Sequence, residues 1–300
     1  MGKSLKTETS YKTDYRINED TEEPQALNTI KTSYREFDEQ GNILLDEVYM
    51  EDGSFDRRYV CRYEDNKLLD EKLYITDPSE LSEHNSFEYE GDKIIKAYTH
   101  FQDGSRDTIL YDYDPQGHLI KKTIIDEDEE IEEVEERIYD QQNLISLYRY
   151  EDGDMEHPSL EEHNEFDEQG NLIEKIVHDH KDEQKEKQVF EYDDQGKETM
   201  IKNYRNDLLQ QKAIFHRDEN GNPTEIIEEK PGQRIRIVQQ HDANGNVTGQ
   251  TVYNTQDTVL YKIRRKFDEH NNMLESVVQK DELGTGYFQM YKISIHPEYY

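Results

Sequence analysis

Phe166-Asp167-Glu168-Gln169-Gly170-Asn171-Leu172 is the phrase that decides the fold, because variants of it return ten times in 300 residues. The copies open at Phe37, Tyr63, Tyr89, Tyr113, Tyr139, Phe166, Tyr192, Arg217, His241 and Phe267, spaced 24 to 27 residues apart. A period of that size held along a chain marks a repeat architecture. The phrase itself spells a β-hairpin. Asp at the first turn position accepts from the backbone two residues on, the two middle residues tolerate the right-handed region, and Gly supplies the left-handed residue of a three-residue loop with a bulge. Turns are therefore expected at Glu39-Gln40-Gly41, Pro115-Gln116-Gly117, Glu168-Gln169-Gly170 and Asp194-Gln195-Gly196. Asn271 takes the glycine slot in the last copy, and Asn is the residue next best able to hold that conformation.

Three copies are one residue shorter. Asp65-Asn66 and Gly91-Asp92 then form the loops, and these are the dipeptides that two-residue primed turns require; Gln141-Gln142 is a less ideal third. Counting outward from either turn type sets Phe37 against Ile43, Tyr63 against Leu68, Tyr89 against Ile94 and Phe166 against Leu172. An aromatic-aliphatic cross-strand pair thus survives the change of loop length and fixes the register. In the short copies it also sets Glu64 against Lys67 and Glu90 against Lys93.

A second series of turns lies between these hairpins, at Glu51-Asp52-Gly53-Ser54, Gln102-Asp103-Gly104-Ser105, Glu151-Asp152-Gly153-Asp154 and Lys230-Pro231-Gly232. Each unit is two strands and two turns. The expected fold is all-β, a tandem β-hairpin repeat array of about twenty antiparallel strands in one extended, curled up-and-down meander. It is a single repeat domain over 1–300, with ten units in a core of 34–278 and terminal segments acting as caps. Asp126 to Glu136 and Asp182 to Gln188 are expected to be larger, mobile loops. Alternation from Leu172 to His178 puts Leu172, Glu174, Ile176 and His178 on one side and Ile173, Lys175 and Val177 on the other, so neither face is continuously apolar. Such a strip has two edges, which surface charge protects from aggregation.

Composition narrows the function. Only 32% of residues are hydrophobic and 35% are charged, so a thick apolar core is not expected, while 22 Tyr and 9 Phe argue against disorder. Seventy Asp and Glu against 36 Lys and Arg give a net charge of −34, which repels nucleic acid and anionic lipid. The opening MGKSLKTETS has no apolar stretch for a signal peptide, Lys6 stands where a myristoylation motif needs Ser or Thr, and no run suits a membrane helix. A cytoplasmic protein is expected. The lone Cys61 excludes an intramolecular disulfide and reads as a small packed side chain.

The aromatic-Asp-x-x-Gly-x-aliphatic phrase resembles the YD repeats of Rhs-type proteins, best in Tyr113-Asp114 to Leu119, Phe166-Asp167 to Leu172 and Tyr192-Asp193 to Gly196. The resemblance covers about Tyr34 to Val278, with Arg217 and His241 replacing the aromatic in two copies. It implies a continuous, concave sheet of the kind that in that family spirals into a shell around a toxin. More distantly the chain is similar to short tandem β-hairpin proteins that act as bacterial antitoxins.

No catalytic residue, metal ligand or cofactor is assigned from the sequence. His178 and His180 share a strand face and could contact one metal, but no spaced partner completes a ligand pattern and surface histidines are the favoured reading. Asp218-x-Asn220 and Asp242-x-Asn244 are similar to the start of a calcium loop, yet lack its later acidic positions and read as turn residues. Glycine-rich phosphate loops, nucleophile elbows and metalloprotease helices do not occur. The unusual local feature is nine acids in eleven residues: Asp126, Glu127, Asp128, Glu129, Glu130, Glu132, Glu133, Glu135 and Glu136. As a solvated loop they need no function; as a docking site they would steer a basic protein by charge. The expected function is a non-enzymatic scaffold binding a basic protein partner, antitoxin-like or chaperone-like. The alternatives are a structural shell or assembly component related to Rhs-type toxin encapsulation, and a carbohydrate-binding sheet whose tyrosines stack on sugars.

Overall fold

The computed structural model describes residues 4–17, 23–281 and 288–300. Among these residues there is no helix, and twenty-two strands belong to one sheet. They begin with β1 (Leu5–Ile17), β2 (Pro24–Phe37), β3 (Ile43–Tyr49), β4 (Phe55–Glu64), β5 (Lys67–Ile75), β6 (Leu81–Glu90) and β7 (Lys93–His100). Next come β8 (Arg106–Tyr113), β9 (Leu119–Ile125), β10 (Ile131–Asp140), β11 (Asn143–Glu151), β12 (Leu160–Phe166), β13 (Leu172–Asp179), β14 (Gln184–Tyr192) and β15 (Glu198–Arg205). The last are β16 (Leu208–Arg217), β17 (Pro223–Lys230), β18 (Gln233–His241), β19 (Val247–Tyr253), β20 (Val259–Phe267), β21 (Met273–Asp281) and β22 (Phe288–Tyr299). Each of the ten phrases sits where an even-numbered strand turns into the next odd-numbered one. Two compact units divide the chain, one of Met1–Ser82, His216–Ile227 and Gln233–Tyr300, the other of Glu83–Phe215 and Glu228–Gly232.

The turn chemistry is what the phrase implies. Asp167 N donates to Asn171 O at 2.9 Å and Gly170 N to Asp167 O at 3.0 Å. The Asp167 carboxylate accepts from Gln169 N at 3.0 Å, Asn171 N at 2.8 Å and Asn171 Nδ2 at 2.9 Å. Gly170 has φ 85° with nothing within 4 Å of a Cβ built on it, so glycine is present for its backbone and not for space. Asn271 holds φ 65° in the same slot. In the short copies Asp65 and Asn66 take φ 49° and 65°, the primed geometry, and Gly91 takes 59°.

Register follows the expected pairs: Phe37 faces Ile43, Tyr63 faces Leu68, Tyr89 faces Ile94 and Phe166 faces Leu172. Beside each of them the ladder slips. Glu36 faces Leu45 and Glu165 faces Glu174, so Leu44 and Ile173 are left over as bulge residues. Thr199 and Thr248 occupy that place in two copies and return their hydroxyls to Glu191 O at 3.1 Å and Gln240 O at 3.3 Å. Strict alternation from Leu172 to His178 therefore fails at Ile173. The bulge beside each of these pairs adds local right-handed twist.

The apolar core is as thin as composition implies: Ala97, Val134, Val252 and Val278 are the buried hydrophobic residues among those described. Oppositely charged pairs stand across the strands. Arg35 faces Asp46 at 3.2 Å, Arg58 faces Glu47 at 2.5 Å, Arg205 faces Glu186 at 3.1 Å and Lys266 faces Glu275 at 2.8 Å, each pair directly opposite in register. A cross-strand opposite-charge pair contributes about 0.2–1 kcal/mol.

Two expectations are corrected. The meander is not an open strip with terminal caps, because β1 pairs with β2 on one side and with β22 on the other, from Leu5 opposite Tyr299 to Tyr15 opposite Met290. First and last strands join where edges were expected, and those unpaired backbone groups are thereby satisfied. The two large loops are not loops either. Residues 131–136 lie in β10 and residues 184–188 in β14, leaving turns at 126–130 and 180–183. Charge density disguised both strands, since their acidic and basic residues are absorbed by ladders.

Candidate functional site

The acidic segment divides at Ile131. Before it, Asp126 repeats the turn chemistry of the ten phrases, accepting from Asp128 N at 2.9 Å and Glu130 N at 2.8 Å, with Glu129 in the left-handed slot at φ 64°. Glu127, Asp128, Glu129 and Glu130 are exposed on this turn, and Glu132 is exposed at the start of β10. An open cleft of about 560 Å³ lies here, lined by Asp126, Glu130, Ile131, Glu132, Asp152 and Gly153. Burial and the neighbouring Asp107 and Asp126 push the Glu132 carboxyl up, and burial with Asp126 and Glu127 does the same to Asp107.

Beyond Ile131 the acids belong to the sheet. Glu135 is 5% exposed and lies between Lys122 of β9 and Arg149 of β11 in register. Arg149 Nη2 approaches it at 3.4 Å, and Arg137 pairs with it from the same strand. Glu133 meets Lys122 at 3.4 Å and Arg149 at 3.5 Å, while Glu136 meets Lys121 at 3.4 Å. Of the nine candidates, Glu127, Asp128, Glu129, Glu130 and Glu132 face solvent, Asp126 holds the turn, and Glu133, Glu135 and Glu136 are engaged in ladders.

His178 and His180 do meet, with ring centroids 4.0 Å apart. The sequence reading missed their partners on β12. Glu161, which faces His178 in register, lies 3.3 Å from His180 Nε2 and 3.5 Å from His163 Nε2, and His163 Nδ1 is 3.0 Å from Ser146 Oγ. Among the described residues no group of three or more His, Cys, Asp or Glu is arranged to hold a metal ion. Asp218 and Asp242 are turn residues, each accepting two backbone N–H groups at 2.9 Å. Burial, reinforced by Glu71, pushes the Cys61 thiol up, which disfavours the thiolate.

Several tyrosine faces, which the sequence suggested for stacking on a sugar, carry cations. Lys31 Nζ lies 4.6 Å from the ring centroids of both Tyr34 and Tyr49, Arg106 is 4.3 Å from Tyr98 and Arg236 is 4.0 Å from Tyr253.

No protein-family model matches the sequence, and no curated protein does. Solved structures with a similar course of chain include TcdB2-TccC3-TEV, at 10% identity and TM-score 0.38, covering 91% of this chain and 19% of that one. A Photorhabdus luminescens Tc holotoxin pore matches at 10% identity and TM-score 0.30 over 91% of this chain and 19% of its own. A porin-like protein from Bacteroides uniformis matches at 11% identity and TM-score 0.30, over 96% of both chains. The chain spans about a fifth of the length of the Tc toxin chains it matches.

Proposed function

We propose that this chain is a non-catalytic structural component that works by assembly, its sheet being the functional part. The observation that carries this reading is the use made of its charge. Glu133, Glu135 and Glu136, which end the acidic segment, are held by Lys122, Arg149, Arg137 and Lys121 within the sheet. Acidic composition serves construction there, as it does at Arg35–Asp46 and Arg205–Glu186. Light scattering and sedimentation velocity over a wide concentration range test the reading. Concentration-dependent homo-assembly, unchanged when Glu127, Asp128, Glu129, Glu130 and Glu132 become Gln or Asn, is expected.

One observation favours a second reading, capture of a basic protein. Glu127, Asp128, Glu129, Glu130 and Glu132 lie exposed together at the 126–132 turn, and like charge there adds to burial in raising the Asp107 and Glu132 carboxyls. A chain that stays monomeric and captures a basic protein, with an on-rate that falls with salt and with neutralisation of those five residues, would overturn the structural reading in favour of this one.

A further inference from the structure

Two of the ten turns contain the same dipeptide, Asn220-Gly221 and Asn244-Gly245, at matching places in matching loops. Gly221 and Gly245 have φ 83° and 84°. Their amides donate to Asp218 O at 3.0 Å and Asp242 O at 3.1 Å, and Asn220 N and Asn244 N both donate to the capping Asp at 2.9 Å. Both asparagines are exposed. One contact separates them. Asn244 Nδ2 donates to Asn271 Oδ1 of the next repeat at 3.0 Å, an oxygen that also accepts from Asn246 Nδ2 at 3.0 Å. The Asn220 side chain has no such tether among the described residues.

From this difference we infer that Asn220 is a site of spontaneous covalent modification in this protein, by deamidation through a succinimide, and that Asn244 is protected by Asn271. Glycine after asparagine leaves the attacking amide unhindered. The Gly221 nitrogen bonds to Asn220 Cγ and gives its proton to solvent base, the Cγ–Nδ2 bond breaks, and ammonia leaves. Water then opens the ring at either carbonyl, leaving aspartate or isoaspartate. The side-chain carbonyl must rotate over the Gly amide for the ring to close. A free amide samples that rotamer, whereas Asn244 has first to release Asn271. Both products add a carboxylate beside Asp218 and Glu219, and the iso form adds a backbone atom to a loop whose register depends on its length.

The test is peptide mapping by mass spectrometry of the intact folded chain held at pH 8.5 and 37 °C, reading the mass increase and the isoaspartate fraction at both sites. Asn220 is expected to convert several-fold faster than Asn244. Asn271→Gly keeps a residue suited to positive φ but removes the tethering oxygen. It is expected to raise the Asn244 rate towards that of Asn220 while leaving Asn220 unchanged. Equal rates in the natural chain, a faster Asn244, or no response of Asn244 to Asn271→Gly would each overturn the inference. Circular dichroism of the Asn271→Gly chain shows whether it retains its fold, and the comparison within the natural chain stands without that variant.

Discussion

The ten repeat hairpins and the β22–β1–β2 seam obtain their register by different means. In a repeat, a turn of two to five residues fixes which residues face each other before any distant contact is made. At the seam, chain ends almost 300 residues apart find each other without a turn. The seam strands are long, 13, 14 and 12 residues, where β3 and β9 have 7. Side chains do there what loops do elsewhere. Along the repeats, turns hold their neighbours through Asn42 to Asn66 at 2.6 Å and Asn246 to Asn271 at 3.0 Å. Beside the last repeat Tyr299 makes this contact: Asn272 Nδ2 donates to its hydroxyl at 2.8 Å, and that hydroxyl donates to Asp268. Tyr300 reaches the first repeat, donating to Phe37 O at 2.6 Å.

This contrast can be broken at one atom. Tyr299→Phe removes a hydrogen bond to a carboxylate and one from an amide, and the loss of a charge-assisted bond corresponds to about 1.5–3 kcal/mol. The control is Tyr192→Phe, whose hydroxyl donates to Leu172 O at 2.8 Å inside the repeats, a neutral bond that contributes about 0.5–1.5 kcal/mol. Urea unfolding midpoints of the two variants should fall in that order. If Tyr192→Phe costs the more, the seam is not held by its terminal tyrosines.

The repeat half of the comparison can be sharpened in the same assay. Gly170→Val forces a β-branched residue to φ 85° where no atom crowds it, so the cost is conformational, about 1–2 kcal/mol. Gly196, at φ 73°, should respond similarly, while its Cβ would meet only Asn171 Oδ1 at 3.6 Å. An unchanged midpoint for Gly170→Val would show that the turn does not set the register.

The repeats were legible because their information is local. Asp, Gly and the flanking aromatic-aliphatic pair lie within seven residues, and each has one backbone role. The bulge beside that pair was not legible, since Leu44, Ile173 and Thr199 look like ordinary strand residues until their partners are known. The seam was hidden for a related reason: Tyr299 and Tyr300 belong to no repeat, and their partners are Asp268, Asn272 and Phe37. The acidic segment misled because charge density by itself does not distinguish a loop from a strand. Whether Glu135 is exposed depends on Lys122 and Arg149 standing opposite, which is a fact of pairing. His163 and Glu161 joined His178 and His180 by the same cross-strand logic.

The smallest effects expected, and the ones that separate turn carboxylates from cleft carboxylates, are in acid. The side-chain amide of Asn171, with backbone N–H groups, holds the Asp167 carboxyl below its ordinary value, whereas burial and like charges raise Glu132. The signs are opposite. A lowered folded-state value means that Asp167 contributes stability above the unfolded value of about 3.9, and that this contribution is lost as pH falls through the lower folded value. A raised value means that Glu132 favours the folded state most below about 4.3 and loses that contribution as pH rises through its folded value. Asp167→Asn keeps an accepting oxygen without a titrating proton, and Glu132→Gln does the same at the cleft. Near neutral pH, Asp167→Asn should lower the unfolding midpoint slightly and Glu132→Gln should raise it slightly, each by less than the Gly170→Val effect because both groups are mostly solvated. The Glu132 difference should shrink towards zero as pH falls below its unfolded value of about 4.3, whereas the Asp167 difference begins to shrink below about 3.9 and vanishes only below its lower folded value. Midpoints measured at close pH intervals decide the matter, and differences of the same sign at neutral pH would mean that Glu132 is not raised in the folded chain.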